Sequence, residues 1–166
     1  SVFLLKKLKR GILQTFWMVR LLKIKKKMNY KIIGQYIKNL KFNIPNSKAF
    51  FFLSKDISNY KINIDIKSKQ IKEKIIEVDT SINLSPIKSN FEIIDTKIIY
   101  STVIEISEKC TDKLEVEKII LIDVPSKVYP NLRKTFIYIF ENSGFKNVNI
   151  KKEVDFKELY NKRKFQ

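Results

Sequence analysis

The 166-residue sequence contains no histidine. That absence removes the usual general base near neutral pH, the commonest metal-ligating side chain, and every Ser-His or Cys-His nucleophile pair. Cysteine occurs once, at Cys110, so neither an internal disulfide nor a cysteine-cluster zinc site can form. The three glycines, Gly11, Gly34 and Gly144, stand too far apart to build a phosphate-cradling loop. Alanine appears only at Ala49, and no acidic residue precedes Asp56. Most enzyme classes rest on the missing residues. The composition implies no cofactor and points to a protein that binds rather than catalyses.

What is present in excess is positive charge, 34 Lys+Arg against 17 Asp+Glu, or +17 at pH 7. A balance of that size first suggests a polyanion partner. Its distribution argues otherwise, because residues 1–27 hold nine basic side chains and no acid, about half of the excess. Within that segment Leu5, Leu8, Ile12, Phe16, Val19 and Leu22 recur at helical spacing, with the basic residues mostly off their face. The charge-free run over residues 11–19 falls far short of the roughly 20 residues a bilayer span needs. No membrane span is expected. The segment reads as translated upstream sequence or as a basic amphipathic targeting peptide, outside the fold, with Met28 following its last lysine. Residues 28–166 then form one domain, long enough to bury about two thirds of its unfolded surface.

From Met28 the hydrophobic period becomes two. Ile62, Ile64 and Ile66 alternate with Asn63 and Asp65, and Ile76, Val78, Thr80, Ile82 and Leu84 alternate with Glu77, Asp79, Ser81 and Asn83 up to Pro86. Ile98, Tyr100, Thr102, Ile104 and Ile106 repeat the design, and residues 36–44 read as a less regular strand closed by the turn signal Pro45-Asn46. No helical pattern separates these strands, which predicts a four-stranded antiparallel meander. After Cys110 the period is helical. A short helix is expected over residues 114–122, stopping near Pro125. A second opens at Pro130 and carries Leu132, Phe136, Ile139 and Phe140 to a stop at Gly144. A last one is capped by Asp155 and reaches about Lys164. Strands followed by helices packed on one side give an α+β class.

Four segments carry a family resemblance. Tyr36-Ile37-Lys38-Asn39-Leu40-Lys41-Phe42-Asn43-Ile44-Pro45-Asn46-Ser47 resembles the aromatic-x-Lys-Asp-x-x-Phe-Glu-x-Pro-Asn-Ala motif of the SecB protein-export chaperones. Val124-Pro125-Ser126-Lys127-Val128-Tyr129-Pro130, with Arg133 beyond it, is similar to that family's Cys-Pro-Asn-x-Leu-Phe-Pro segment. Gly144-Phe145 and Val154-Asp155-Phe156-Lys157-Glu158-Leu159-Tyr160 resemble its C-terminal stretches. The resemblance spans about residues 31–161 and keeps the order and near-spacing of the motifs.

It implies an ATP-independent holdase. Such a protein keeps unfolded preproteins export-competent for the Sec translocase, in the bacterial cytoplasm, or in an organelle matrix if residues 1–27 target it there. It also implies a homotetramer built as a dimer of dimers and hand-over of clients to the SecA motor. By position, Phe50, Phe51, Phe52 and Leu53 fall where the family has a client-groove connection, and Phe156, Leu159 and Tyr160 could border the same groove. The SecA-docking face aligns with Asn39, Asn43, Val103 and Glu105, of which only Glu105 keeps an acid. The acids expected at 39 and 43 are absent, so docking by charge is weakened or replaced.

Two other readings stand beside it. One is an RNA- or ribosome-associated protein using Tyr36, Phe42 and Tyr138 near lysines, although the outer strand positions read Lys, Asn, Asp, Glu and Ser rather than a stacking platform, so no nucleic acid is expected. The other is a SecB-like chaperone of a toxin–antitoxin pair.

Overall fold

The computed structural model describes residues 29–55, 60–88, 94–146 and 148–164. The amphipathic segment proposed for residues 1–27 lies outside them. Four strands, β1 (Tyr30–Asn43), β2 (Tyr60–Lys72), β3 (Ile75–Pro86) and β4 (Asp95–Ile106), make one antiparallel sheet. The helices are α1 (Ser47–Lys55), α2 (Lys113–Lys118), α3 (Val124–Asn142) and α4 (Phe156–Lys164). The α+β class and the four antiparallel strands are as expected from the alternation.

The topology departs from a simple meander. β2, β3 and β4 are consecutive neighbours, but β1 lies beyond β4 in the order β1-β4-β3-β2. The connection from β1 to β2 therefore crosses from one edge of the sheet to the other, and it contains α1. No helix was expected there. Asn46 caps it, its Oδ1 accepting from the Ala49 N–H at 2.8 Å, while Ala49 and Leu53, four apart, anchor its buried side.

Among the described residues, helices cover one face only. Val78, Thr80, Ile82 and Leu84 of β3, with Ile98, Thr102, Ile104 and Ile106 of β4, point into the core under α3. β1 shares this division of faces but buries only Tyr30 fully, and it carries two register shifts, between Ile32 and Gly34 and between Ile37 and Asn39. Each inserts a residue, Ile33 and then Lys38, and resets which side chains face inward. That is why its alternation looks irregular and why the strand starts at Tyr30, six residues before the expected start.

The predicted break between residues 122 and 130 does not occur. The chain is helical from Lys113 to Asn142, with a π-turn at Ile119–Asp123 joining α2 to α3. There the Val124 N–H bonds to the Ile119 carbonyl, an i→i+5 bond, so one extra residue is accommodated just before Pro125. Ser126 Oγ donates to the Ile122 carbonyl at 2.5 Å. Pro130 sits on the exposed side of α3, where water can serve the carbonyl that its missing N–H leaves unpaired. The buried stripe reads Ile119, Val124, Val128, Leu132, Phe136 and Phe140, a step of five and then steps of four. At its far end Phe140 meets Phe136, Phe42 and Phe145, with ring centroids 4.6, 5.0 and 5.4 Å away. Gly144, at φ +93, ends the helix as predicted. Residues 148–155 return along α3, where Tyr129 Oη and Arg133 Nε donate to the carbonyls of Lys151 and Ile150.

Two positions give stability predictions. Lys74, in the β2–β3 turn, has φ 61, a conformation that costs a residue with a Cβ. Its carbonyl accepts from the Ile106 N–H and survives substitution. Lys74→Gly is expected to raise unfolding stability by up to about 1 kcal/mol in urea titration. The Thr80 hydroxyl is fully buried and has no hydrogen-bond partner among the described residues. The near-isosteric Thr80→Val should stabilise by about 1 kcal/mol, and destabilisation would mean that the hydroxyl is paired.

Candidate functional site

Phe50 to Leu53 lie on α1 and share their exposure unequally. Leu53 is 1% exposed and belongs to the core. Phe50 packs against Phe145, centroids 4.9 Å apart, and is half-buried. Phe51 and Phe52 are left outside, at 60% and 41% exposure. A helix turns 100° per residue, so four successive large side chains cannot share one buried side. The strand-to-strand crossing thus presents two aromatic rings to solvent from a helix held by Ala49 and Leu53.

The second group forms around a pocket of about 160 Å³ lined by Ile64, Ile66, Leu121, Phe156, Leu159, Tyr160 and Lys162. Phe156 and Tyr160 are buried walls, whereas Leu159 stands at the surface, 42% exposed. Asp155 Oδ1 accepts from the Glu158 N–H at 2.8 Å, the predicted cap of α4. Lys162 is at the rim, paired to Glu158 at 2.6 Å, and that contact raises its pKa. Sequence reasoning missed Leu121, because only the π-turn fixes its direction. The α1 group packs at the Phe145 end of α3 and the α4 group near the π-turn, so the two do not merge into one patch.

The open face of the sheet bears Asn39, Asn43 and Glu105, all exposed, with Val103 half-buried opposite Gly34. Asn39 pairs with Ile99 and Glu105 with Lys31, which separates Asn39 from the acid by roughly 20 Å along β4, and Asn43, opposite Asp95, by roughly 33 Å. Between them lies a network the sequence did not disclose. Lys38 Nζ bridges Glu77 Oε2 at 2.7 Å and Asp79 Oδ2 at 2.8 Å. The Tyr36 hydroxyl donates to Glu77, and the Ser101 hydroxyl donates to Asp79. Hydrogen bonds from Lys38 and then Tyr36 hold the Glu77 carboxyl below its ordinary pKa. The bonds to Asp79 and Glu77 raise that of Lys38, and the Glu77 contact raises that of Tyr36. One lysine therefore answers two carboxylates of this face, and the cluster keeps one net negative charge. Only the β-bulge after Ile37 brings Lys38 to them, and alternation alone could not show that.

Tyr36, Phe42 and Tyr138, the aromatics weighed for RNA stacking, do not share a surface. Tyr36 is on the open face tied to Glu77, Phe42 packs on Phe140 under the helices, and Tyr138 projects from α3. Cys110 is buried, and its thiol pKa is pushed up chiefly by that burial. Among the described residues no cluster of three or more His, Cys, Asp or Glu could hold a metal, and no helix is long and apolar enough to cross a membrane.

An α+β sheet covered on one side, with exposed aromatics and an apolar pocket on the helical layer, has the surface of a protein that binds apolar segments. Residues 23–166 match the family model described as preprotein translocase subunit SecB, and the chain belongs to that family. A putative protein-export protein SecB of Pelagibacter ubique is 42% identical over 135 residues, covering 81% of this chain and 96% of that protein. The protein-export protein SecB of Anaplasma phagocytophilum is 26% identical over 145 residues, covering 80% and 91%. Among solved structures, a Mycobacterium tuberculosis SecB-like chaperone in complex with a ChAD peptide from the HigA1 antitoxin superposes with TM-score 0.56. That match covers 80% of this chain and 93% of that one, at 8% identity, a likeness of fold.

The Lys38 bridge has a pH signature. Glu77 is depressed below 4.5, so its contribution is fully present above that value and is lost as pH falls through the folded pKa. Lys38→Met should therefore be less stable than the parent at pH 7, the gap closing as acid protonates Glu77. A gap unchanged at low pH in parallel urea titrations would contradict this role.

Proposed function

We propose that this chain is an ATP-independent holdase that keeps preproteins unfolded for export. The observation that carries the reading is the pair Phe51 and Phe52, held in water by a helix whose inner residues are locked into the core. An apolar client segment covers such rings at a gain of about 1.5–3 kcal/mol each when fully buried. A second contact is the pocket under α4, where Leu159 forms the mouth and Phe156 and Tyr160 the wall. Separate weak contacts on one client chain combine through effective concentration. Holding is then mass action on the unfolded state, with no nucleotide required.

Self-association multiplies the contacts. β1 is an edge strand whose Ile33, Ile37 and Leu40 are each nearly half exposed. Beside it a groove of about 660 Å³ runs between Ile37 and Tyr100 on the sheet and Ile137 and Tyr138 on α3. Pairing of two β1 edges and stacking of α3 helices would cover both features and give the dimer of dimers. SecA hand-over is assigned to the Val103 and Glu105 end of the open face, where Glu105 makes no ion pair among the described residues. The compartment implied is the cytoplasm. Export is favoured over an antitoxin client because the relatives of higher identity are named for export.

The deciding experiment is light scattering of a refolding polypeptide with the full chain and no ATP, alongside its mass in solution. The parent should suppress aggregation as a species larger than a monomer. Phe51→Ser/Phe52→Ser should keep its circular dichroism and lose about tenfold in client affinity. A monomer that suppresses nothing overturns the reading.

A further inference from the structure

The open sheet face differs from one end to the other. Near its middle, Glu77 and Asp79 are occupied by Lys38. Toward the β1–α1 end, the register aligns Lys41 with Lys97, Lys97 with Asn83 and Asn83 with Asn63, one residue from each strand in a single transverse row. At strand spacing this row is roughly 14 Å long. Lys61 stands two residues from Asn63 on the same side of β2.

Every side chain in that row can donate a hydrogen bond, and none is acidic. Lys41 and Lys97 are directly opposed, an arrangement that costs stability unless an anion lies between or beside them. Asp95 answers one of the two, at 2.5 Å from Lys41 Nζ. Lys97 and Lys61 are exposed and make no ion pair among the described residues. Asn63 Nδ2 donates to Ser85 Oγ at 2.8 Å, which fixes its amide on the face.

We propose that the row Lys41, Lys97, Asn83 and Asn63, with Lys61 beside it, docks a short acidic polypeptide segment laid across the strands. Lysines take the carboxylates, and the asparagine amides pair with the segment's backbone. A nucleic acid fits less well. Asp65 lies two residues beyond Asn63, and Asp79 and Glu77 follow, so a phosphate chain continuing over the face meets carboxylates, and the Tyr36 hydroxyl is engaged by Glu77. The docking site does not depend on the holding activity. Either can fail while the other stands.

The test is fluorescence anisotropy of a short labelled Glu-rich peptide with the full chain at low and moderate salt. Lys61→Glu/Lys97→Glu is compared with the charge-matched Lys151→Glu/Lys152→Glu, since residues 151 and 152 are exposed and lie outside the sheet. The comparison cancels net charge and the basic residues at positions 1–27. Affinity should fall about tenfold or more in the first variant relative to the second, with an intermediate loss in the neutral pair Lys61→Gln/Lys97→Gln. Equal loss in both charge-reversed variants would overturn the proposal as non-specific attraction. Preference of the parent for a Lys-rich peptide would overturn it by sign. Tighter binding of a single-stranded RNA of equal charge, lost in the first variant, would reassign the row to nucleic acid.

Discussion

Among the described residues the sheet is covered on one face, and that is the constraint from which the other features follow. Each strand must send alternate side chains into an apolar layer and into water, and β3 and β4 do so without interruption. β1 cannot, because it carries one residue too many at Ile33 and again at Lys38. The bulges bring Phe42 back to the helix side, where it meets Phe140, and they deliver Lys38 to the polar side. A packing requirement under the helices thus determines the electrostatics of the opposite face.

The helical layer divides its apolar side chains in a similar way. The stripe on α3 is spent on the sheet and on the rings of Phe42 and Phe145. α1 has only nine residues and is anchored by two, so Phe51 and Phe52 stay largely open to water. Exposed rings of this kind endanger an ordinary monomer, whereas a holdase requires them.

The strands of period two, the stop at Gly144 and the cap at Asp155 were legible in the sequence because each depends on local chemistry. The sheet order was not, since alternation states which side chains share a face and says nothing about which strands are neighbours. α1 was missed because Lys48, Ala49 and three phenylalanines show no amphipathic period over so short a run. The break expected near Pro125 was wrong for a related reason. Proline ordinarily ends a helix, but here a π-turn takes up an extra residue and the stripe continues through a step of five. Of the site residues, exposure of Phe51 and Phe52 could be argued from crowding alone, while the Lys38 bridge depended on a bulge with no sequence signature.

The buried stripe on α3 also makes the helix a screw rather than a rail. Steps of four residues advance about 40° beyond a full turn, so the inward line precesses from Val124 to Phe140 and is received in turn by the sheet and by the aromatic rings at its end. Changing one residue for another of similar bulk leaves this winding intact. Adding or removing a single residue would rotate everything beyond it by about 100°, turning Phe136 and Phe140 out of the core. The number of residues between the π-turn and Gly144 is thus held more strictly than the identity of most of them.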